Sequence, residues 1–157
     1  MEPPWWRNTR GEWWVIGQGI VILLIALAPP AWRWPGEGSA ARIAVGAALM
    51  AGGLGLAVLA AGQLGVGLTP LPRPRPQARL IRTGVYAHSR HPIYGGLIVA
   101  AFGWAVVRNS GLHLLLAAVL TVYFYLKSER EEQFLVQRFP EYTEYRSQTK
   151  RFLPWLF

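Results

Sequence analysis

The run Gly84-Val85-Tyr86-Ala87-His88-Ser89-Arg90-His91-Pro92-Ile93-Tyr94-Gly95-Gly96 stands between two strongly apolar stretches of the chain. It packs two histidines, an arginine, two tyrosines and three glycines into one short segment. A soluble protein has many uses for such a run. In a membrane protein, polar side chains and irregular backbone at bilayer depth need protein partners or water. The run therefore reads as a cytoplasmic loop with a task, or as the floor of a site at the membrane surface.

Four apolar segments surround it: about 13–28, ending at Pro29-Pro30, then about 43–68, 93–107 and 112–126. The second is long enough to span with tilt, since a crossing helix needs roughly 20 residues. The last two are only about 15 residues each, roughly 23 Å at 1.5 Å per residue, against a hydrocarbon core of about 30 Å. Polar flanks extend them, or the bilayer thins around them. The break Arg108-Asn109-Ser110-Gly111 is tight and predicts a helical hairpin. After Leu126 the pattern turns amphipathic, with Phe134, Leu135 and Phe139 on one stripe, so the fourth helix should continue into the cytoplasm until Pro140 ends it. The last residues, Phe152 to Phe157, read as a surface anchor. The expected fold is all-α: one integral membrane domain over 1–157, a bundle of four transmembrane helices with a C-terminal cytoplasmic amphipathic helix.

Composition supports this class. Of 157 residues, 52% are hydrophobic and only 15% charged, and the mean hydropathy is +0.23. There are 8 Trp, many near the ends of apolar runs, where an amphipathic ring suits the headgroup layer. Trp5, Trp6, Trp13 and Trp14 flank the first run, and no small-residue cleavage site follows it, so it reads as a retained span. The net charge of +8 sits in loops beside apolar spans. Anionic lipids explain it better than nucleic acid, for which no motif is present. The chain has no cysteine, which excludes thiol catalysis, disulfides and thiolate metal sites; no metal centre is expected.

Basic residues set an orientation. Arg7 and Arg10 lie in the N-terminal arm, Arg73, Arg75, Arg79, Arg82 and Arg90 after the second span, and Lys127, Arg130, Arg138, Arg146, Lys150 and Arg151 in the tail. The other two loops hold Arg33, Arg42 and Arg108. The bias places both termini and the central loop in the cytoplasm of a multi-pass protein. In the second span, the rows Ala47-Ala51-Gly55 and Ala57-Ala61-Gly65 predict close helix packing, within the monomer in preference to a dimer seam. Pro70, Pro72, Pro74 and Pro76 form a stiff extended spacer that delivers the next segment to a fixed place.

Two polar clusters face the same side of the membrane: Arg90-His91-Pro92-x-Tyr94 before the third span, and Lys127, Glu129, Glu131 and Glu132 after the fourth. The hairpin between them brings them together. Lys127 and Glu131 share one helix face, and Ser128 and Glu132 the next. Taken alone, Lys127 and Glu131 also look like a solvated i,i+4 pair, Tyr86 and Tyr94 like interfacial anchors, and His91 like a backbone cap. His113, near a helix end, reads as structural, and Tyr142, Tyr145 and Arg146 as packing for the tail.

Taken together, Gly84-Val85-Tyr86, Arg90-His91-Pro92-x-Tyr94-x-Gly96, Glu131-Glu132-x-x-Leu135, Phe139-x-x-Tyr142-x-x-Tyr145 and Phe152-Leu153-Pro154 resemble the isoprenylcysteine carboxyl methyltransferase family and its phospholipid-methylating relatives. The resemblance covers about residues 78–155. It implies an S-adenosyl-L-methionine-dependent methyltransferase acting on a lipophilic small molecule or lipidated substrate among membrane lipids. By matching position it implies a cofactor pocket of Arg79, Leu80, Ile81, Tyr86, His91, Pro92, Tyr94, Glu131 and Glu132. Glu131 would hold the methionine ammonium, and the backbone around Leu80 and Ile81 the adenosine. His88 and Lys127 match positions near the methyl acceptor, where the family more often shows an aromatic residue and an arginine. A carboxylate acceptor needs only a positioning cation, for which Lys127 serves. An amine acceptor needs a base, for which His88 is the candidate. Two alternatives share the motif turn: an NADPH-dependent membrane reductase of the sterol-reductase type, and a non-catalytic membrane adaptor. The sequence leaves the oligomeric state open.

Overall fold

A computed structural model describes residues 5–8, 10–35 and 38–154. Among the described residues there are five α-helices: α1 (Glu12–Leu27), α2 (Ala40–Leu64), α3 (Pro92–Arg108), α4 (Gly111–Arg138) and the short α5 (Tyr142–Gln148). Short 3-10 turns cover Trp5–Arg7, Gly65–Gly67 and Gly84–Ala87. No strand occurs among the described residues; the one bridge pairs Ser89 with Lys150.

Local chemistry fixes the ends. Ala28 leaves the helix for an extended conformation because the following Pro29 crowds an α-conformation. Ser39 caps α2, its Oγ accepting from Arg42 N at 3.4 Å. Pro92 opens α3, where a missing N–H has no partner to lose. Asn109 stops α3 in the left-handed region at φ 50°, and Ser110 at once caps α4 through His113 N. That two-residue joint makes the expected hairpin. α4 then runs unbroken to Arg138, just before Phe139 and Pro140.

α2 packs most extensively on α3, α4 on α3, and α1 on α4. The small residues at the α2–α3 seam are Gly46, Gly53, Ala57 and Ala60 on one side and Gly96, Ala100 and Gly103 on the other. A methyl group at Gly53 would collide with the Gly96 carbonyl oxygen and the Ala100 nitrogen. This corrects the expected rows. Ala47, Ala51 and Gly55 are exposed, and of the second row only Ala57 is buried. The buried positions follow a spacing of seven, four and three, that of a helix seam, whereas a strict spacing of four drifts around the helix. The core collects Ile25, Ile98, Ala101, Ala117, Leu120, Phe124 and Phe152. Phe152 is therefore a core residue and not part of a surface anchor; Trp155, Leu156 and Phe157 lie outside the described residues.

Among the described residues two helices are long and apolar enough to cross a membrane, Ala40–Gly67 and Gly111–Arg138; α1 and α3 are apolar but shorter. Their outward faces carry large apolar side chains such as Leu23, Val58 and Val122, which suits contact with lipid. At the end of the bundle away from the motif loop, Ser110 Oγ ties the chain around Ala31 to α4 and meets His113 Nδ1 at 2.8 Å. His113 is thus part of a buried structural knot.

Candidate functional site

The motif run folds into a tight turn followed by the start of α3. Gly84 takes a left-handed conformation at φ 61° with its α-carbon against the Gln63 side chain. Gln63 Oε1 accepts from Val85 N at 3.2 Å, and the Tyr86 hydroxyl donates to Ala60 O at 3.3 Å. The turn is thereby pinned to the end of α2. From the other side, the tail lies along it: Arg90 N donates to Lys150 O at 2.9 Å and His91 N to Arg151 O at 2.8 Å. Ser89 Oγ faces the carbonyl oxygens of Arg151 and Phe152 at 2.9 and 2.8 Å. The Tyr145 hydroxyl lies 2.6 Å from Tyr86 O.

Beneath this turn sits a buried ion cluster. Glu132, 1% exposed, receives Arg90 Nε at 2.9 Å and His91 Nε2 at 3.2 Å on Oε1, and pairs with Arg146 Nε at 3.1 Å on Oε2. A carboxylate only accepts, so the His91 proton sits on Nε2. Arg151 joins from 3.9 Å, pairs with Glu129, and lies over the Tyr125 ring. Arg90 also reaches the carbonyls of Arg146 and Thr149. Oε1 of Glu132 is hydrogen-bonded, whereas Oε2 has ion-pair neighbours only, and such a cluster weakens sharply when its central carboxylate is removed.

Glu131, the next residue, points elsewhere. It accepts from the Tyr94 hydroxyl at 2.9 Å and lies 3.8 Å from His91 Nδ1. The Tyr94 ring is stacked between His91 (centroids 5.5 Å apart) and Phe124 (4.5 Å). Lys127 Nζ lies 5.2 Å from the Tyr94 centroid and donates to Gln18 Oε1. The meeting with Gln18 follows from how α1 rests on α4: the Tyr123 hydroxyl donates to Trp14 O at 2.8 Å, over Gly17, which leaves room for the ring. One turn further along α4 from Tyr123 comes Lys127.

These groups surround a cavity of about 320 Å³. Of the residues the sequence pointed to, Arg79, Leu80, Ile81, Tyr86, His91, Tyr94, Lys127 and Glu131 line it. Pro92, Glu132 and His88 do not: Pro92 is buried in the first turn of α3, Glu132 is enclosed in the ion cluster, and His88 is exposed, with its carbonyl accepting from Lys150 N. Arg90 also lines the cavity. So do Gln18 of α1 and Leu64 of α2, which sequence reasoning did not single out. A polar amide inside the first apolar run was the available signal for Gln18. Pro70 and Pro74 form part of the wall, so the proline spacer is a cover as well as a link. Burial pushes the Tyr86 and Tyr142 hydroxyls well up from the usual tyrosine value, and Tyr145 up to about 12, so all three remain protonated donors at neutral pH. Among the described residues no group of three or more His, Asp or Glu is placed to hold a metal ion.

A model of the phospholipid methyltransferase family matches residues 41–142. Three curated proteins are similar. Methanethiol S-methyltransferase 1 of Bradyrhizobium diazoefficiens is 40% identical over 72 residues, 45% of this chain and 25% of that protein. A nickel-cobalt-cadmium resistance protein of Alcaligenes xylosoxydans xylosoxydans is 30% identical over 154 residues, 96% of this chain and 66% of that protein. A cobalt-zinc-cadmium resistance protein of Cupriavidus metallidurans is 29% identical over 154 residues, 96% of this chain and 65% of that protein. The chain thus spans between a quarter and about two thirds of the length of these relatives.

Proposed function

The chain belongs to the phospholipid methyltransferase family, and from that premise we propose that it transfers a methyl group from S-adenosyl-L-methionine to a lipophilic acceptor at the membrane surface. The observation that carries this reading is the Glu131 carboxylate. It lines a largely apolar cavity, is held by the Tyr94 hydroxyl and lies beside the His91 ring. A cofactor bearing an ammonium, a carboxylate and an adenine needs an acid, a donor and apolar walls. Glu131, Arg79 and the Leu80–Ile81 segment supply these in one cavity. When bound, S-adenosyl-L-methionine supplies an electrophilic methyl group on a sulfonium sulfur.

The protein's own task is binding and positioning. Glu131 holds the ammonium, and Arg79 faces the carboxylate. The Tyr94–His91 stack keeps Glu131 in one orientation, and the proline spacer with Leu135 and Phe139 excludes water. Fixing the reacting partners in line contributes most of what such an enzyme needs for methyl transfer. Arg90, Glu132, Arg146 and Arg151 act behind this surface by holding the motif turn.

The test is equilibrium binding to the purified protein in detergent. S-adenosylhomocysteine should bind, and NADPH should not displace it. Tight NADPH binding without S-adenosylhomocysteine binding supports the reductase alternative, and binding of neither supports the adaptor.

The same reading has α1 and α3 crossing the bilayer beside α2 and α4, four spans in all, with both termini in the cytoplasm. α1 and α3 are roughly 24–26 Å long at 1.5 Å per residue, a mismatch that local thinning absorbs at modest cost. The cysteine-free sequence makes this simple to check. Thr83→Cys should label from the cytoplasmic side and Ser39→Cys from the opposite side; labelling of both from one side would refute the topology.

A further inference from the structure

The proline-rich loop 68–77 leaves the end of α2 and comes back to it. A methyl group at Gly67 would lie 3.7 Å from the α-carbon of Ala78, so the two ends of the loop stand side by side. Gly65, just before them, takes a positive φ of 49° with open space around its α-carbon. Between the ends stand Pro70, Pro72, Pro74 and Pro76, each with φ fixed by its ring. A loop with adjacent ends and a stiff middle can turn as one piece about the line through Gly67 and Ala78, without pulling on α2 or on the motif turn. Its inner face is cavity wall, through Leu68, Pro70 and Pro74.

The polar segments that share this end of the cavity are tied more firmly. The motif turn is bonded to Gln63 and Ala60 on one side and to Lys150 and Arg151 on the other. α5 is held to it through the Arg146–Glu132 pair and the Tyr145 hydroxyl. The loop has no ion pair: among the described residues neither Arg73 nor Arg75 pairs with a carboxylate. It is held instead by Arg73 N, which donates to Arg10 O at 3.4 Å, by the Arg138 side chain on Pro76 O, and by Pro72. Pro72 is fully buried, and a β-carbon at Gly11 would come within 2.7 Å of its ring. The proline thus sits in a notch that only a glycine leaves open, at the start of α1.

We infer that loop 68–77 is a stiff flap hinged at Gly67 and Ala78. It opens the cavity to water so that S-adenosyl-L-methionine enters and S-adenosylhomocysteine leaves, and it closes over the bound molecule with Pro72 seated on Gly11 as the catch. This rests on the methyltransferase reading above and adds a moving part to it. A charged cofactor does not pass through lipid, so it exchanges on the aqueous side, where the flap is the most weakly tied wall. Ligand and flap are coupled. Opening exposes Leu68, Pro70 and Pro74 to water, whereas a bound molecule gives them surface to cover, so binding favours the closed state. Flap opening then sets the rate at which the spent cofactor departs.

The cysteine-free sequence lets the motion be read directly, on the whole chain purified in detergent. Pro72→Cys places a thiol that a charged maleimide reaches only when the flap lifts. Saturating S-adenosylhomocysteine should slow its labelling roughly tenfold or more, in proportion to the open population; an unchanged labelling rate overturns the inference. Gly11→Cys with Pro72→Cys sets the two β-carbons 3.3 Å apart, just under the roughly 3.5–4.5 Å that a disulfide takes. Oxidising this pair should slow both association and dissociation of S-adenosylhomocysteine roughly tenfold or more, and reduction should restore both. Arg10→Cys with Arg73→Cys makes the same closure and decides if the first pair does not fold. Rates unchanged by oxidation, or an affinity altered through one rate alone, mark the loop as a fixed wall and overturn the inference. Absence of S-adenosylhomocysteine binding to the wild type overturns the methyltransferase reading itself, and the inference with it.

Discussion

Between α2 and α3 the chain brings backbones together over Gly46, Gly53, Gly96 and Gly103; between α4 and the motif turn it brings charges together over Glu132. The two regions solve one problem in different surroundings. Where lipid is the solvent, apolar side chains gain little by turning inward, and close approach of backbones supplies the packing. Where the motif turn meets the tail and the polar end of α4, ion pairs and backbone hydrogen bonds join the three. The seam fixes how far apart the helices stand. The cluster fixes which way the turn above the cavity faces.

The sharpest way to break the second region is Glu132→Ala, which leaves Arg90, His91 and Arg146 without their common anion. Removing one partner of a buried cluster typically costs about 3–5 kcal/mol, and thermal unfolding in detergent should show the largest fall of any variant considered. Glu131→Gln, one residue away, separates the two acids. It should weaken S-adenosylhomocysteine binding by about 1.5–3 kcal/mol in a titration while the melting temperature stays near wild type; equal loss of stability in both variants would erase the distinction. Gly53→Val tests the seam. Forcing side-chain volume between the two backbones should destabilise by about 1–3 kcal/mol, read in the same unfolding assay.

Tyr145→Phe is the mildest. Loss of the donor to Tyr86 O should cost about 0.5–1.5 kcal/mol. It also has a pH signature. Burial raises the Tyr145 hydroxyl from 10.0 to about 12, with Arg90 opposing, so its contribution is fully present below pH 10 and is lost as the pH rises through about 12. Stability of the wild type should therefore fall across that window more steeply than that of Tyr145→Phe.

The parts of this architecture written in local chemistry were legible in the sequence. Asn109-Ser110 announced the joint between α3 and α4, and the stripe of Leu135 and Phe139 announced that α4 continues past the apolar run; both residues reach the cavity wall. The pairing of His91 with the α4 acids followed from the hairpin. What could not be read was that Glu132, placed by the resemblance in the same pocket as Glu131, turns instead into the buried ion cluster, because the two acids differ by a rotation of about 100° and the arginines that enclose Glu132 come from the motif turn and the tail. The same holds for Gln18, which is brought to Lys127 by the packing of Tyr123 on Gly17, and for Phe152, whose burial depends on Ser89 gripping the tail carbonyls. The small-residue rows misled because several alternative spacings of Gly and Ala coexist in α2, and only contact with α3 selects among them.

The unbroken course of α4 makes it a ruler. Lys127 and Glu131 sit four residues apart on one rod, so their axial offset, about 6 Å, is set by peptide geometry and not by how neighbouring helices settle. One residue inserted between them would swing one of the two charges about 100° away from the other. The distance between the two ends of the chamber is thus written into the residue count of a single helix, and lipids of different thickness can tilt that helix without changing it.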